Sequence, residues 1–188
     1  MENPRTKKRN VIRRVSAVVC IGVLLVLFIF KNNILLSWGL STGWGIKAMN
    51  PLSFRIEYDI DTFGFGGEGE RFTVLHTGRA ELIGENTIKA DASYYAAKEM
   101  TVEWGTAVSQ KEAEGINRII GDLDPWRKWL TEGFEPAWDM VSFVIDDEYL
   151  PDLQDIDAWL NINESDGSYF YILQDREAQR LYLLERIW

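Results

Sequence analysis

The chain has 188 residues, of which 46% are apolar and 26% charged. That is a globular composition, which excludes general disorder and suits one domain able to bury roughly two thirds of its unfolded surface. The formal net charge of −9 is unevenly placed: seven of the 20 basic residues and a single acid, Glu2, fall in positions 1–31, so residues 32–188 carry a net of −15. Such an excess repels phosphate backbones and argues against nucleic-acid binding.

The basic start, residues 1–14, holds Arg5, Lys7, Lys8, Arg9, Arg13 and Arg14, and leads into an apolar run of sixteen residues from Val15 to Phe30. Sixteen helical residues reach ~24 Å against a hydrocarbon core of ~30 Å, a shortfall that snorkelling of Lys31 and helical continuation through Ile34, Leu35 and Leu36 can cover. The reading is a single-pass signal-anchor over residues 15–37, with the tail 1–14 in the cytoplasm by the positive-inside rule and the remaining chain outside. A cleaved leader needs small residues soon after the run, and Ser37-Trp38-Gly39, behind a lysine, is a poor cleavage context. Cys20 lacks the small preceding residue of a lipidation site, and the apolar run lies mostly after it. As the only cysteine, it leaves the exported part without a disulfide, which fits the bacterial inner membrane better than a eukaryotic secretory setting. In that setting the sequon Asn163-Glu164-Ser165 carries no meaning.

Residues 38–51 mix Trp38 and Trp44 with glycines and few charges, and read as a juxtamembrane connector. The folded domain is expected over 52–188. Phe54, Ile56, Tyr58 and Ile60 alternate with polar residues, the pattern of a half-buried strand. Gly64-Phe65-Gly66-Gly67-Glu68-Gly69 looks like a phosphate-cradling loop by letters, but it holds an acid and is followed by a strand pattern instead of a helix, so a hairpin loop is the better reading. Phe72, Val74, His76, Gly78, Ala80 and Leu82 share one parity and predict a long strand bent at Gly78, with His76 as a hydrogen-bonded residue of the core face. Further strands are expected at Ile88 to Tyr94 and Met100 to Trp104.

A capping box, Ser109-Gln110-Lys111-Glu112, opens a helix whose Ile116, Ile119, Ile120 and Leu123 form one apolar stripe. Asp124-Pro125 ends it and can start a second helical piece carrying Trp126, Trp129 and Leu130, closed by Gly133. Strand patterns return at Trp138 to Ile145, at Trp159 to Asn163, and as a hairpin from Ser168 to Gln174 and Arg180 to Trp188. The expected fold is α+β: a transmembrane helix followed by one extracytoplasmic antiparallel sheet of about eight strands, with one helical segment packed on it. Its core is expected to include Phe54, Ile56, Phe72, Val74, Val102, Ile116, Ile120, Trp138, Val144, Tyr171 and Leu183.

The densest chemical feature is Asp146 to Asp157, in which Asp146, Asp147, Glu148, Asp152, Asp155 and Asp157 place six acids in twelve residues around Tyr149 and Leu150. It does not satisfy a calcium-loop spacing. Its bland reading is a solvated acidic loop; its functional reading is a docking edge for a basic protein, with Tyr149 and Leu150 as an apolar anchor inside a charged rim. Eight tryptophans could form a sugar-stacking surface, but Trp104, Trp126, Trp129 and Trp138 fall at core-facing positions. No catalytic residue, metal ligand or cofactor site is assigned. The expected function is a membrane-anchored interaction module, of inhibitor or immunity type, that binds a basic partner. The alternatives are an envelope glycan-processing enzyme using paired carboxylates and an accessory subunit of a membrane complex.

Overall fold

The computed structural model describes residues 4–46, 50–61, 69–77, 92–123 and 145–188. Helix α1 (Pro4–Ile29) runs through the basic tail and the apolar run, and Val18, Leu24, Phe28 and Ile29 are between 64% and 71% exposed. The helix breaks at Phe30, and α2 (Lys31–Gly43) leaves it at 66°. Among the described residues no single helix is long and apolar enough to cross a membrane; the bent pair meets that test only jointly, by length and composition.

Six strands follow: β1 (Phe54–Asp61), β2 (Gly69–Thr77), β3 (Thr101–Gly105), β4 (Ala158–Asn163), β5 (Tyr169–Asp175) and β6 (Arg180–Ile187). They form one sheet of order β1-β2-β6-β5-β4-β3 with every neighbouring pair antiparallel. A short helix α3 (Ala92–Ala97) precedes β3, and α4 (Gln110–Leu123) follows it. The α+β class and the antiparallel sheet of the sequence reading therefore hold.

Both faces of the sheet are apolar, because successive side chains of its central strands point to opposite sides. One face carries Leu75, Leu160, Ile162, Phe170, Ile172, Leu181 and Leu183 and is covered by Leu36, Leu40 and Trp44 of α2, with Ile46, Tyr95 and Met100. The other carries Phe72, Val74, Trp159, Leu173, Tyr182 and Leu184 and is covered by Ile116, Ile119 and Ile120 of α4, with Ile145 and Ile156. Strand β1 serves both. A β-bulge at Glu57 shifts the register between Ile56↔Leu75 and Tyr58↔Val74, so Phe54 and Ile56 pack on the α2 side while Tyr58 and Ile60 pack on the α4 side. An extra residue reverses the facing of everything beyond it.

The cap of α4 is the expected reciprocal one: the Ser109 amide donates to Glu112 Oε2 at 2.7 Å and the Glu112 amide to Ser109 Oγ at 3.4 Å. Of the expected core, Phe54, Phe72, Val74, Ile116, Ile120 and Leu183 are buried, and Ile56, Val102 and Tyr171 are partly buried against the two clusters. Trp138 and Val144 lie outside the described residues, as do the bend at Gly78, the glycine loop from Gly64 to Glu68, and the second helical piece with Trp126, Trp129 and Gly133.

Three expectations are corrected. Of the strand expected over Ile88 to Tyr94, residues 92–94 belong instead to helix α3, whose six residues include three alanines, the best helix former and a weak strand former; residues 88–91 lie outside the described ones. Trp104, expected in the core, is 50% exposed; among the described residues β3 is the edge strand of the sheet. His76 keeps the parity of Phe72 and Val74 but sits at the strand end, with a side chain 39% exposed and Nδ1 at 3.9 Å from Glu57 Oε1. Six strands are seen among the described residues, where about eight were expected; one expected over Trp138 to Ile145 falls outside them up to Val144, and Ile145 belongs to no strand.

Phe170 is 1% exposed and stacks on Trp44 with ring centroids 5.4 Å apart. Phe170→Ala is expected to cost about 3–5 kcal/mol, whereas Trp104→Ala should change stability by under ~0.5 kcal/mol; urea unfolding of the full chain in detergent micelles measures both.

Candidate functional site

The acidic segment lies on the α4 side of the sheet. Its first part is a single 3-10 turn, Asp147–Tyr149, closed by hydrogen bonds from the Tyr149 amide to the Asp146 carbonyl at 2.9 Å and from the Leu150 amide to the Asp147 carbonyl at 3.2 Å. Tyr149 turns inward and stacks on Tyr58 with centroids 4.6 Å apart. Leu150 and Leu153 are half-buried against the α4-side cluster and Ile156 is 3% exposed. Tyr149 and Leu150, both partly buried, hold the segment to the sheet and keep part of their surface open among the carboxylates.

Glu57, the bulge residue, organises the neighbourhood. It accepts from Arg55 Nη2 at 2.8 Å and from Arg180 Nε at 3.0 Å. Arg180 Nη1 then donates to the Glu148 carbonyl at 2.7 Å, and its guanidinium lies 5.7 Å from the Tyr149 ring centroid. Burial works to raise the carboxyl of Glu57, but the hydrogen bonds from Arg55 and Arg180 outweigh it and hold the pKa below the ordinary value. The bulge aims Glu57 so that the acidic turn is clamped through Arg180.

The acids of the segment divide by use. Asp152 Oδ1 accepts from the Gln154 amide at 3.0 Å, and Asp157 Oδ2 accepts from the Arg176 amide at 2.7 Å. These two carboxylates fix turns, the second joining the segment to the β5–β6 hairpin, where the Asp157 amide also donates to the Gln174 carbonyl at 2.9 Å. Asp146, Asp147, Glu148 and Asp155 are exposed. Tyr149 has its hydroxyl pKa raised, chiefly by the hydrogen bond to Glu148. Apolar residues point in and carboxylates point out, so the arrangement can attract cations over a fixed surface. Among the described residues no three His, Cys, Asp or Glu side chains converge as metal ligands.

A second locus was not singled out in the sequence. Between α2 and the sheet lies a cavity of about 460 Å³ whose lining includes Leu36, Trp44, Arg71, Lys98, Glu164 and Glu185. Glu185 accepts a 2.5 Å hydrogen bond from Trp44 Nε1. Arg71, its cross-strand neighbour, is held by Asp59 at 2.6 and 2.8 Å. Burial raises the carboxyl of Glu185 despite Trp44 and Arg71. It also raises that of Glu164, with Asp166 adding to the effect and Lys98 opposing it. The signal in the sequence was parity: Leu181, Leu183, Glu185 and Ile187 share one side of β6, so a carboxylate sits in a core stripe.

A carboxyl whose pKa is raised in the fold above 4.5 binds its proton more tightly folded than unfolded, so it subtracts stability as pH rises through that window. Glu185→Gln keeps an acceptor for Trp44 and removes the titration. Relative to the parent chain, the variant should gain stability as pH rises above about 4.5 and show no such gain below it; urea midpoints across pH measure the difference. No protein-family model matches the chain, and neither the curated proteins nor the solved structures hold a match to it.

Proposed function

We propose that the protein is a membrane-anchored, extracytoplasmic binding module of a bacterial inner membrane, which captures a basic protein partner in the manner of an inhibitor or immunity protein. The observation that supports this reading most is the construction of the acidic segment. Tyr149, Leu150, Leu153 and Ile156 are spent on packing, while Asp146, Asp147, Glu148 and Asp155 are left exposed on a backbone that Arg180 and Glu57 hold in place. Fixed carboxylates lose little entropy on meeting a cationic surface, and electrostatic complementarity of this kind acts mainly on the rate of association. The exposed apolar helix α1 behind a basic tail supports the membrane part of the reading.

One observation favours a second reading, an envelope enzyme that cleaves glycans through carboxylates: Glu164 and Glu185 line one cavity and both have raised pKa values. That chemistry also needs an ionised partner carboxylate. Hydrolysis of peptidoglycan fragments that disappears in both Glu164→Gln and Glu185→Gln would establish it over the binding role.

The binding reading is tested by replacing Asp147, Glu148, Asp152 and Asp155 together with Asn or Gln. Asn at position 152 can still accept from the Gln154 amide, so the unfolding midpoint should hold or rise slightly as like-charge repulsion is relieved. The association rate with poly-lysine, and with a basic protein recovered alongside the chain from its native membrane, should fall about tenfold at low salt. Parent binding should weaken as salt rises. Loss of the fold would make these acids structural; unchanged rates would leave a solvated loop.

A further inference from the structure

We propose that α2 lies in the membrane interface, with Leu35, Trp38 and Leu52 as the lipid-contacting edge, so that the sheet domain rests on the lipid surface by its α2 side. The inference deepens the membrane-anchor reading and rests on it. Helix α2 contains a single charge, Lys31, and no acid. Its inner side, Leu36 and Leu40, is buried on the sheet, while Leu35 is 63% and Trp38 66% exposed. At 3.6 residues per turn, Leu35, Trp38 and Thr42 follow Lys31 along the exposed side of the helix. The Thr42 hydroxyl is already satisfied, donating to the Trp38 carbonyl at 2.9 Å, which lowers its demand for water.

Leu52, 60% exposed, is brought to the same end. Asn33 Nδ2 donates to the carbonyls of Pro51 and Phe54, each at 2.8 Å, and so ties the turn before β1 to the first turn of α2.

Depth follows from length and angle. The apolar run reaches ~24 Å, less than the ~30 Å core, so an inserted α1 draws Lys31 to the hydrocarbon boundary or slightly inside it. Trp38 lies ~10 Å along α2 from Lys31, and at 66° to α1 only ~4 Å of that distance is depth, inside a headgroup layer of roughly 5–7 Å. Tryptophan is the residue best suited to that layer. On the α2 side Arg71 and Lys98 stand beside Glu164 and Glu185. Segment 145–157 packs on the opposite side of the sheet from α2, which keeps its carboxylates away from anionic headgroups.

The experiment uses the full chain in vesicles of phosphatidylethanolamine and phosphatidylglycerol, with brominated acyl chains as depth-resolved quenchers. A fluorophore is attached at native Cys20, or, in a Cys20→Ser background, at Trp38→Cys, Leu52→Cys or Asp155→Cys, all but the first being exposed positions of the folded domain. Labels at 38 and 52 should be quenched severalfold more by bromines near the headgroup than by deep ones. The label at 155 should be unaffected, and the label at Cys20 should be quenched most by deep bromines. If Cys20 is quenched while 38 and 52 behave like 155, the domain stands clear of the membrane and this proposal falls while the anchor stands. If Cys20 itself is unquenched, the anchor reading fails and takes the proposal with it.

Discussion

A sheet that is apolar on both faces must be covered on both, and in this chain one of the two covers is a helix that continues directly from α1. Leu36, Leu40 and Trp44 are as much a part of the core as Leu181 or Phe170. The carbonyls at and just beyond the C-terminus of α2, which no helix can satisfy by itself, are met from α3 and the residue after it: the Tyr94 hydroxyl donates to the carbonyls of Thr42 and Gly43, the Tyr95 hydroxyl to those of Trp44 and Gly45, and Lys98 Nζ to that of Gly43. The ammonium of Lys98 also suits the negative end of the helix dipole. Residues 38–51 thus include the end of a docked helix, in a stretch whose composition alone suggested a connector. The position and orientation of α2 on the sheet are set by packing and hydrogen bonds.

The same two-sided arrangement sorts the charges. Arg71 bonds Asp59 and faces Glu185 across the strands on the α2 side, while Arg180 bonds Glu57 and reaches the acidic turn on the other side. Both systems begin on β1, two residues apart, and the bulge at Glu57 sends them to opposite faces. Some of the domain's acids serve as turn acceptors, as at Asp152 and Asp157, and others pair with arginine, as at Asp59 and Glu57; screening by salt makes the repulsion among exposed carboxylates mild.

What could be read in the sequence was local. The capping box at Ser109, the stripe of Ile116, Ile119 and Ile120, and the β5–β6 hairpin depend on neighbours a few positions away, and they stand where the pattern put them. The bulge could not be read, because Phe54, Ile56, Tyr58 and Ile60 alternate without a visible interruption; only the register of β2 opposite them reveals that the stripe is split between two faces. Trp38 and Trp44 differ in the same way. Each is a tryptophan among glycines near the apolar run, yet one is exposed and the other is stacked on Phe170 and bonded to Glu185, a partner 141 positions later. The acidic segment was visible as charge, but the inward turn of Tyr149 depends on Tyr58, far away in the chain. Helix α3 was missed because Ala92 and Tyr94 continue the alternation of the residues before them, which outweighed the helix preference of alanine.

Strand order bears on how the domain assembles. The β1–β2 hairpin and the β3–β4–β5 unit make no ladder with each other; both pair with β6, the last strand in chain order, which lies between them. A chain emerging vectorially can form either unit early, but the two remain separate pieces, each with an open edge facing the other, until residues 180–187 arrive and are inserted between them. Closure of the sheet is therefore a late, non-local step of the kind that slows folding. It also burdens the nascent chain with exposed edges, which native proteins generally protect against intermolecular pairing.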